Sequence, residues 1–319
     1  FLDEPDVIEV VVNAPGEVWV ETRGGWTVRP APGVTFDAMR ALATSVATLT
    51  MQMTGEKQPV LSATLPTGER IQIVQPPATK PGVIAAALRR PSQQVRTLAE
   101  LSSSGLFAQT NAACSDTVHT ERELASLRDA GQFERFLRRA VQARKTILLA
   151  GATGSGKTSF MKALCEEVPT DQRLITLEDA EEVTLPSHRN AVHLFYSSGG
   201  QGVASGITPT TLMKACMRLR PDRILLAEVR GEEAWTFLDG GASGHPGSMT
   251  TIHAGSCDEA RERMALLVRQ SGAGGGMTMP EIRILVDSVI DVVVHFARSG
   301  GRFVVTGLQY RPRLIEQAA

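Results

Sequence analysis

Residues 151–158 read Gly-Ala-Thr-Gly-Ser-Gly-Lys-Thr, a full match to the pattern GxxxxGK[ST]. An apolar run at 146–150 leads into it and a helical pattern at 159–167 follows, the strand–loop–helix setting that a phosphate loop requires. Gly151, Gly154 and Gly156 let the chain bend until successive amides face phosphate oxygens, and the helix N-terminus adds positive potential. Thr153, Ser155 and Ser159 fall in the same cradle. Lys157 is placed to reach the β- and γ-phosphates, and the Thr158 hydroxyl to ligate Mg²⁺. The chemistry implied is ATP binding and phosphoryl transfer.

Parallel α/β sheets gather ligands beyond the carboxyl ends of their strands, so the residues after each apolar run are the next candidates. Glu178 and Asp179 follow 173–177, Glu228 follows 223–227, and His253 follows 248–252. Glu228 stands where an acid holds Mg²⁺ through water, a place where Asp is more usual. Glu178 is positioned to orient or deprotonate an attacking water, with Asp179 or Glu182, or a plain N-cap, as alternatives. His253 suits a sensor of the γ-phosphate, although a lone histidine is more often a satisfied polar residue. His253 and Cys257 are four residues apart, but no second pair completes a zinc site.

These tips need a sheet beneath them. The runs at 146–150, 173–177, 223–227 and 248–252 are continuously apolar and separated by helical segments, as in a parallel sheet covered on both faces. Residues 1–107 have a different grammar. Alternation at 7–12 and 17–20 around Asn-Ala-Pro-Gly predicts a hairpin, 36–53 a helix, and 68–74 and 83–88 strands. The expected organisation is therefore an α+β N-terminal domain over 1–107, a polar linker over 108–125, and an α/β domain over 126–319.

Bulk properties narrow the classes. Among 319 residues, 33 Lys and Arg balance 34 Asp and Glu, so no overall basic field recruits nucleic acid or acidic lipid. Cys114, Cys165, Cys216 and Cys257 are widely spaced and read as free thiols of a reducing compartment. No apolar run approaches the roughly 20 residues needed to span a bilayer. The chain opens at Phe1 inside a strand-like region, so an N-terminal segment is expected to precede it, with a targeting signal left open.

The phosphate loop, 175–179 (Ile-Thr-Leu-Glu-Asp), 220–231 (Arg-Pro-Asp-Arg-Ile-Leu-Leu-Ala-Glu-Val-Arg-Gly) and 243–254 (Ser-Gly-His-Pro-Gly-Ser-Met-Thr-Thr-Ile-His-Ala) together resemble the four boxes of the secretion traffic ATPases. The resemblance is to the type IV secretion and conjugation branch, akin to the type II secretion and pilus-retraction ATPases. It extends through 11–18, 59–63, 68–72 and 88–92 to nearly the whole chain. Ala227 departs from the usual glycine, and Pro246 sits within the histidine box. The resemblance implies a RecA-like ATPase domain with a smaller N-terminal domain, assembled as a hexameric ring. It further implies ATP and Mg²⁺ as ligands, nucleotide bound between the domains, and Arg70 and Arg89 reaching it from the N-terminal half. Partners would be other secretion-system components, with the protein in the cytoplasm and peripheral at the inner membrane.

The leading expectation is a ring motor in which ATP binding and hydrolysis drive domain rotation, with 108–125 as the hinge. A nucleotide-gated docking ring without significant turnover is the alternative from another class, against which Glu178 and Glu228 count. A DNA translocase is a third reading, weakened by near-neutral charge and the lack of a basic, aromatic-rich stretch, so direct nucleic-acid binding is expected to be weak or absent.

Overall fold

A computed structural model describes residues 1–4, 6–91, 95–108, 110, 112–196 and 207–312, without the side chains of 112–116. Ser92 and the Cys114 thiol lie outside the described residues.

The N-terminal half is one six-stranded antiparallel sheet, β1 (Val7–Val12), β2 (Gly16–Thr22), β3 (Gly25–Ala31), β4 (Val60–Thr64), β5 (Arg70–Val74) and β6 (Ala85–Arg89), in the order β3-β2-β1-β6-β5-β4. Helix α1 (Phe36–Leu49) opens on Thr35, whose hydroxyl accepts from the Ala38 amide at 3.1 Å. It ends four residues earlier than its pattern predicts, because Met51 takes a positive φ and turns the chain away. Alternation along the strands sorts the side chains. Val10, Val12, Ile71, Ile73 and Ala86 pack under Met39, Ala43 and Val46 of α1, while Val11, Val74, Ala85 and Ala87 face the other half.

The second half contains α2 (Leu98–Ser103), α3 (Ala112–Asp129), α4 (Phe133–Gln142), β7 (Ile147–Gly151), α5 (Lys157–Cys165), β8 (Leu174–Glu178), β9 (Ala191–Phe195) and α6 (Pro209–Arg218). There follow β10 (Arg223–Leu226), α7 (Glu233–Ala242), β11 (Met249–Ile252), α8 (Cys257–Ser271), α9 (Met279–Val289), β12 (Val292–Ser299) and β13 (Arg302–Tyr310). The sheet order is β13-β12-β7-β11-β10-β8-β9, parallel except for the β12–β13 hairpin. Every residue of β7, β8, β10 and β11 is buried, which is why these strands read as mostly apolar runs without alternation.

Most of the stretch expected to be a linker, 108–125, belongs to helix α3. Leu124 packs with Phe136 of α4, and buried Glu121 accepts from Lys145 and from the Tyr310 hydroxyl. Its inward face is partly ionic, so no apolar periodicity announces it.

The two halves of the chain pack closely. Arg173, fully buried before β8, donates to Asn13 Oδ1 and Asn190 Oδ1, each at 2.6 Å, and to the Leu219 carbonyl at 2.9 Å. The Trp26 ring centroid lies 5.8 Å from its guanidinium carbon. Burial lowers the Arg173 pKa to about 10, so the guanidinium stays charged near neutrality. Arg220 forks onto Glu21 at 2.6 and 3.0 Å. A buried cation hydrogen-bonded from both halves holds them in one orientation, because parting them would strand the charge.

Candidate functional site

At the tip of β7 the chain must turn back on itself before α5 begins. Gly151, Gly154 and Gly156 all take positive φ. At Gly151 the constraint is also steric, since a Cβ there would come within 2.5 Å of the Phe296 carbonyl oxygen and 2.7 Å of Ser155 Oγ. Gly156 occupies the N-cap of α5 at φ +89°, and it and the residues of the first turn, whose amides lack intrahelical partners, line one cavity.

That cavity encloses about 460 Å³. Thr153, Gly154, Ser155, Gly156, Lys157, Thr158 and Ser159 form its floor. Asp179, Glu182, Glu228, Arg230, His253 and Phe303 supply the rest of the functional wall. Lys157 is buried and donates to the carbonyls of Gly151 and Ala152 at 2.8 Å each. Burial holds its pKa below the ordinary lysine value, against the opposing pull of Glu228. Ser155 Oγ is buried without a partner among the described residues. A cradle that excludes a Cβ, a desolvated ammonium and an orphaned hydroxyl together fit a bound polyphosphate.

Glu228, beyond β10, accepts from Arg230 at 2.8 Å, and its other oxygen lies 2.9 Å from His253 Nε2. Arg230 also donates to Asp179 at 2.8 Å. Glu228 first, then Asp179, hold the Arg230 pKa above its ordinary value. Sequence reasoning assigned Arg230 no role. Its signal was available as an acid and a base two residues apart at a strand tip. Phe303, on the β13 side of the hairpin, left no such signal, because it approaches Gly156 from almost 150 positions downstream.

Three expected residues stand elsewhere. Glu178 does not line the cavity. It is fully buried, with Oε2 accepting from the amides of Glu182 and Val183 at 2.8 Å. Its Oε1 accepts from Thr176 Oγ1 at 2.5 Å, with His193 Nδ1 at 3.3 Å. Burial alone would raise its pKa, but His193, Thr176 and the two amides outweigh it and hold the group below the usual carboxylate value. Arg70 and Arg89 line a separate cavity of about 740 Å³, between the N-terminal sheet and the end of α6, where Arg218 and Arg220 join them. Thus Lys157, Thr158, Glu228 and His253 come together within one chain, and Glu178, Arg70 and Arg89 do not join them.

Residues 2–299 match the protein family described as Type II/IV secretion system protein. VirB11 of the Brucella suis type IV secretion system is 46% identical over 296 residues, covering 92% of this chain and 82% of the relative. PtlH of Bordetella pertussis, also a type IV secretion system protein, is 40% identical over 302 residues, covering 95% and 88%. The crystal structure of the Brucella suis VirB11 ATPase in complex with sulphate superposes with a TM-score of 0.91 at 44% identity, covering 97% of this chain and 90% of that one.

Proposed function

This chain belongs to the type II/IV secretion system protein family, and we propose that it works as the ATP-hydrolysing motor of a type IV secretion or conjugation system. The expected fold, a RecA-like α/β domain carrying a smaller α+β domain, is the one observed. One observation carries the enzymatic reading: Lys157, Thr158 and Glu228 share a cavity whose floor is a phosphate cradle.

The cradle amides and Lys157 bind and orient the β- and γ-phosphates of ATP. Thr158 and Glu228 offer oxygen donors suited to a hard cation, and bound Mg²⁺ would neutralise charge on the phosphates. Glu228 is the carboxylate we assign to the attacking water. His253, 2.9 Å from Glu228, is placed to feel the change when the terminal phosphate leaves. Glu178 is a positioning residue, holding the 182–183 amides and with them the turn that carries Asp179 and Glu182.

Arg70 and Arg89 lie outside the cradle of their own chain, which supports their serving a nucleotide on another copy. A ring of like-handed contacts supplies such a neighbour at every junction, and a hexamer is the assembly we propose. Rotation between successive copies would then follow the nucleotide cycle. No described helix is long and apolar enough to cross a membrane. Location at the cytoplasmic face of the inner membrane, beside other secretion-system components, belongs to the same proposal.

Steady-state phosphate release with ATP and Mg²⁺ tests the motor. Lys157→Ala is expected to drop to background, and a wild-type rate no higher than that variant's would remove the reading.

A further inference from the structure

Both oxygens of Glu228 are faced by donors. Oε2 accepts from the Arg230 guanidinium at 2.8 Å, and Oε1 lies 2.9 Å from His253 Nε2. A hard cation drawn to Glu228 therefore meets the guanidinium charge first. The backbone of Arg230 is fixed, but its side chain is not. Buried Glu233 accepts from the amides of Arg230 at 2.5 Å and Gly231 at 2.8 Å, which holds the turn after β10 in place. Beyond that anchor the side chain is 56% exposed and lines the phosphate-loop cavity. An exposed side chain changes rotamer within nanoseconds.

A guanidinium grips carboxylates and phosphates with the same fork of N–H donors. In the cavity wall Lys157 and Arg230 face Asp179, Glu182 and Glu228, so carboxylates outnumber cations and the guanidinium pairs with acids. A triphosphate seated on the cradle reverses that balance and offers oxygens of higher charge. We propose that Arg230 is a gate on Glu228: it holds the carboxylate until the triphosphate enters, then passes to the phosphates and leaves Glu228 open to a divalent cation. The inference rests on the reading of Thr158 and Glu228 as the metal donors. Its consequence is an order of binding, in which nucleotide prepares the metal position and a divalent cation on its own finds that position shut. Asp179 is the second tether, keeping the guanidinium beside Glu228 rather than in solvent.

Mn²⁺, with the free ion counted by electron paramagnetic resonance, probes the gate without turnover. Titrated into the wild-type protein alone, it is expected to bind weakly. Arg230→Ala should bind it about tenfold more tightly or better, and adding Glu228→Gln to that variant should remove the gain. With metal chelated, ATP should bind Arg230→Ala about tenfold more weakly than the wild type. An Arg230→Ala protein with unchanged Mn²⁺ affinity would overturn the gate, as would one with unchanged metal-free ATP affinity. The underlying reading has its own control. With a non-hydrolysable ATP analogue present, Glu228→Gln should weaken Mn²⁺ binding in the protein that keeps Arg230. If it does not, Glu228 is no metal donor, and that assignment falls together with the gate. A gate that fails while this control succeeds leaves the metal donors as assigned.

Discussion

The phosphate-loop cavity and the cavity holding Arg70 and Arg89 are both polar clefts, yet they treat charge in opposite ways. In the first, charges are paired before any ligand arrives: Arg230 bridges Asp179 and Glu228, and Lys157 is capped by two carbonyls. In the second, Arg70 and Arg89 stand directly opposite each other across β5 and β6, and neither forms an ion pair among the described residues. Directly opposed like charges cost free energy, and Glu9, opposite Arg89 on β1, is the only carboxylate in that lining. A phosphoryl-transfer site needs both kinds of wall, one to hold metal and water and one to meet the charge on the transferred group. The chain builds both walls and keeps them apart. On the proposed reading, a complete site would draw one wall from each of two copies.

The largest effect is expected where the first cavity is broken. Glu228→Gln should lower turnover by roughly 10²–10³-fold while ATP affinity changes only a few-fold. Phosphate release and nucleotide titration report the two quantities. Parallel losses in both would place Glu228 in binding alone. Next comes the second cavity. Arg89→Ala should slow turnover by about 10–10²-fold with a smaller change in affinity. Co-assembly with Lys157→Ala subunits should restore part of the rate, because some junctions then pair an intact loop with intact arginines. An Arg89→Ala protein that such mixing leaves as slow as before would put the arginines in the service of their own chain.

The unequal legibility of the two cavities has a physical origin. The cradle is contiguous: Gly151 to Thr158 carry both the turn and its chemistry, so local pattern suffices. Glu228 and His253 could be found from the rule of strand tips. Glu178 stands one residue short of the tip, because β8 runs one position further than its apolar pattern suggests and keeps this side chain within the sheet. In a pleated strand one position decides between packing and tip. Arg70 and Arg89 were linked to nucleotide by resemblance alone, and no spacing in a chain can say which copy's phosphate they meet. The hairpin β12–β13 and edge strand β9 carry no motif, and helix α3 hides behind the ionic contacts of Glu121. The parallel core, by contrast, is readable because burial on both faces makes its strands mostly apolar.

A smaller effect sharpens the comparison at the support of the first cavity. Glu178→Gln leaves one amide-facing oxygen replaced by a donor, and should cost about 1–3 kcal/mol of stability. The Glu178 carboxyl is held below its ordinary pKa in the fold, so its contribution is present above the unfolded value and lost as pH falls through the folded one. Thermal unfolding between pH 3 and 7 should therefore show the wild type losing its advantage over the variant on acidification. A variant as stable as wild type at pH 7 would free Glu178 from this positioning role.

The smallest effect tests why the second cavity tolerates Glu9. Burial first, and then Glu21, push its pKa up to about 7, against the attraction of Arg220, Arg89 and Arg173. Because the folded value lies above the unfolded one, protons favour the fold: the favourable contribution is complete below the unfolded value and disappears as pH rises through about 7. If the arginines were already fully engaged with Glu9, its carboxyl would be held low, as Glu178 is. It is instead raised, because burial and Glu21 outweigh the three arginines. Glu9→Gln removes the ionisation, so the variant should gain on wild type by on the order of 1 kcal/mol between pH 5.5 and 8. Melting curves at the two pH values would show the gap widening toward alkaline pH. A gap that narrows would mean that ionised Glu9 is the partner of Arg89, and the opposition between the two cavities would lose its sharpest instance.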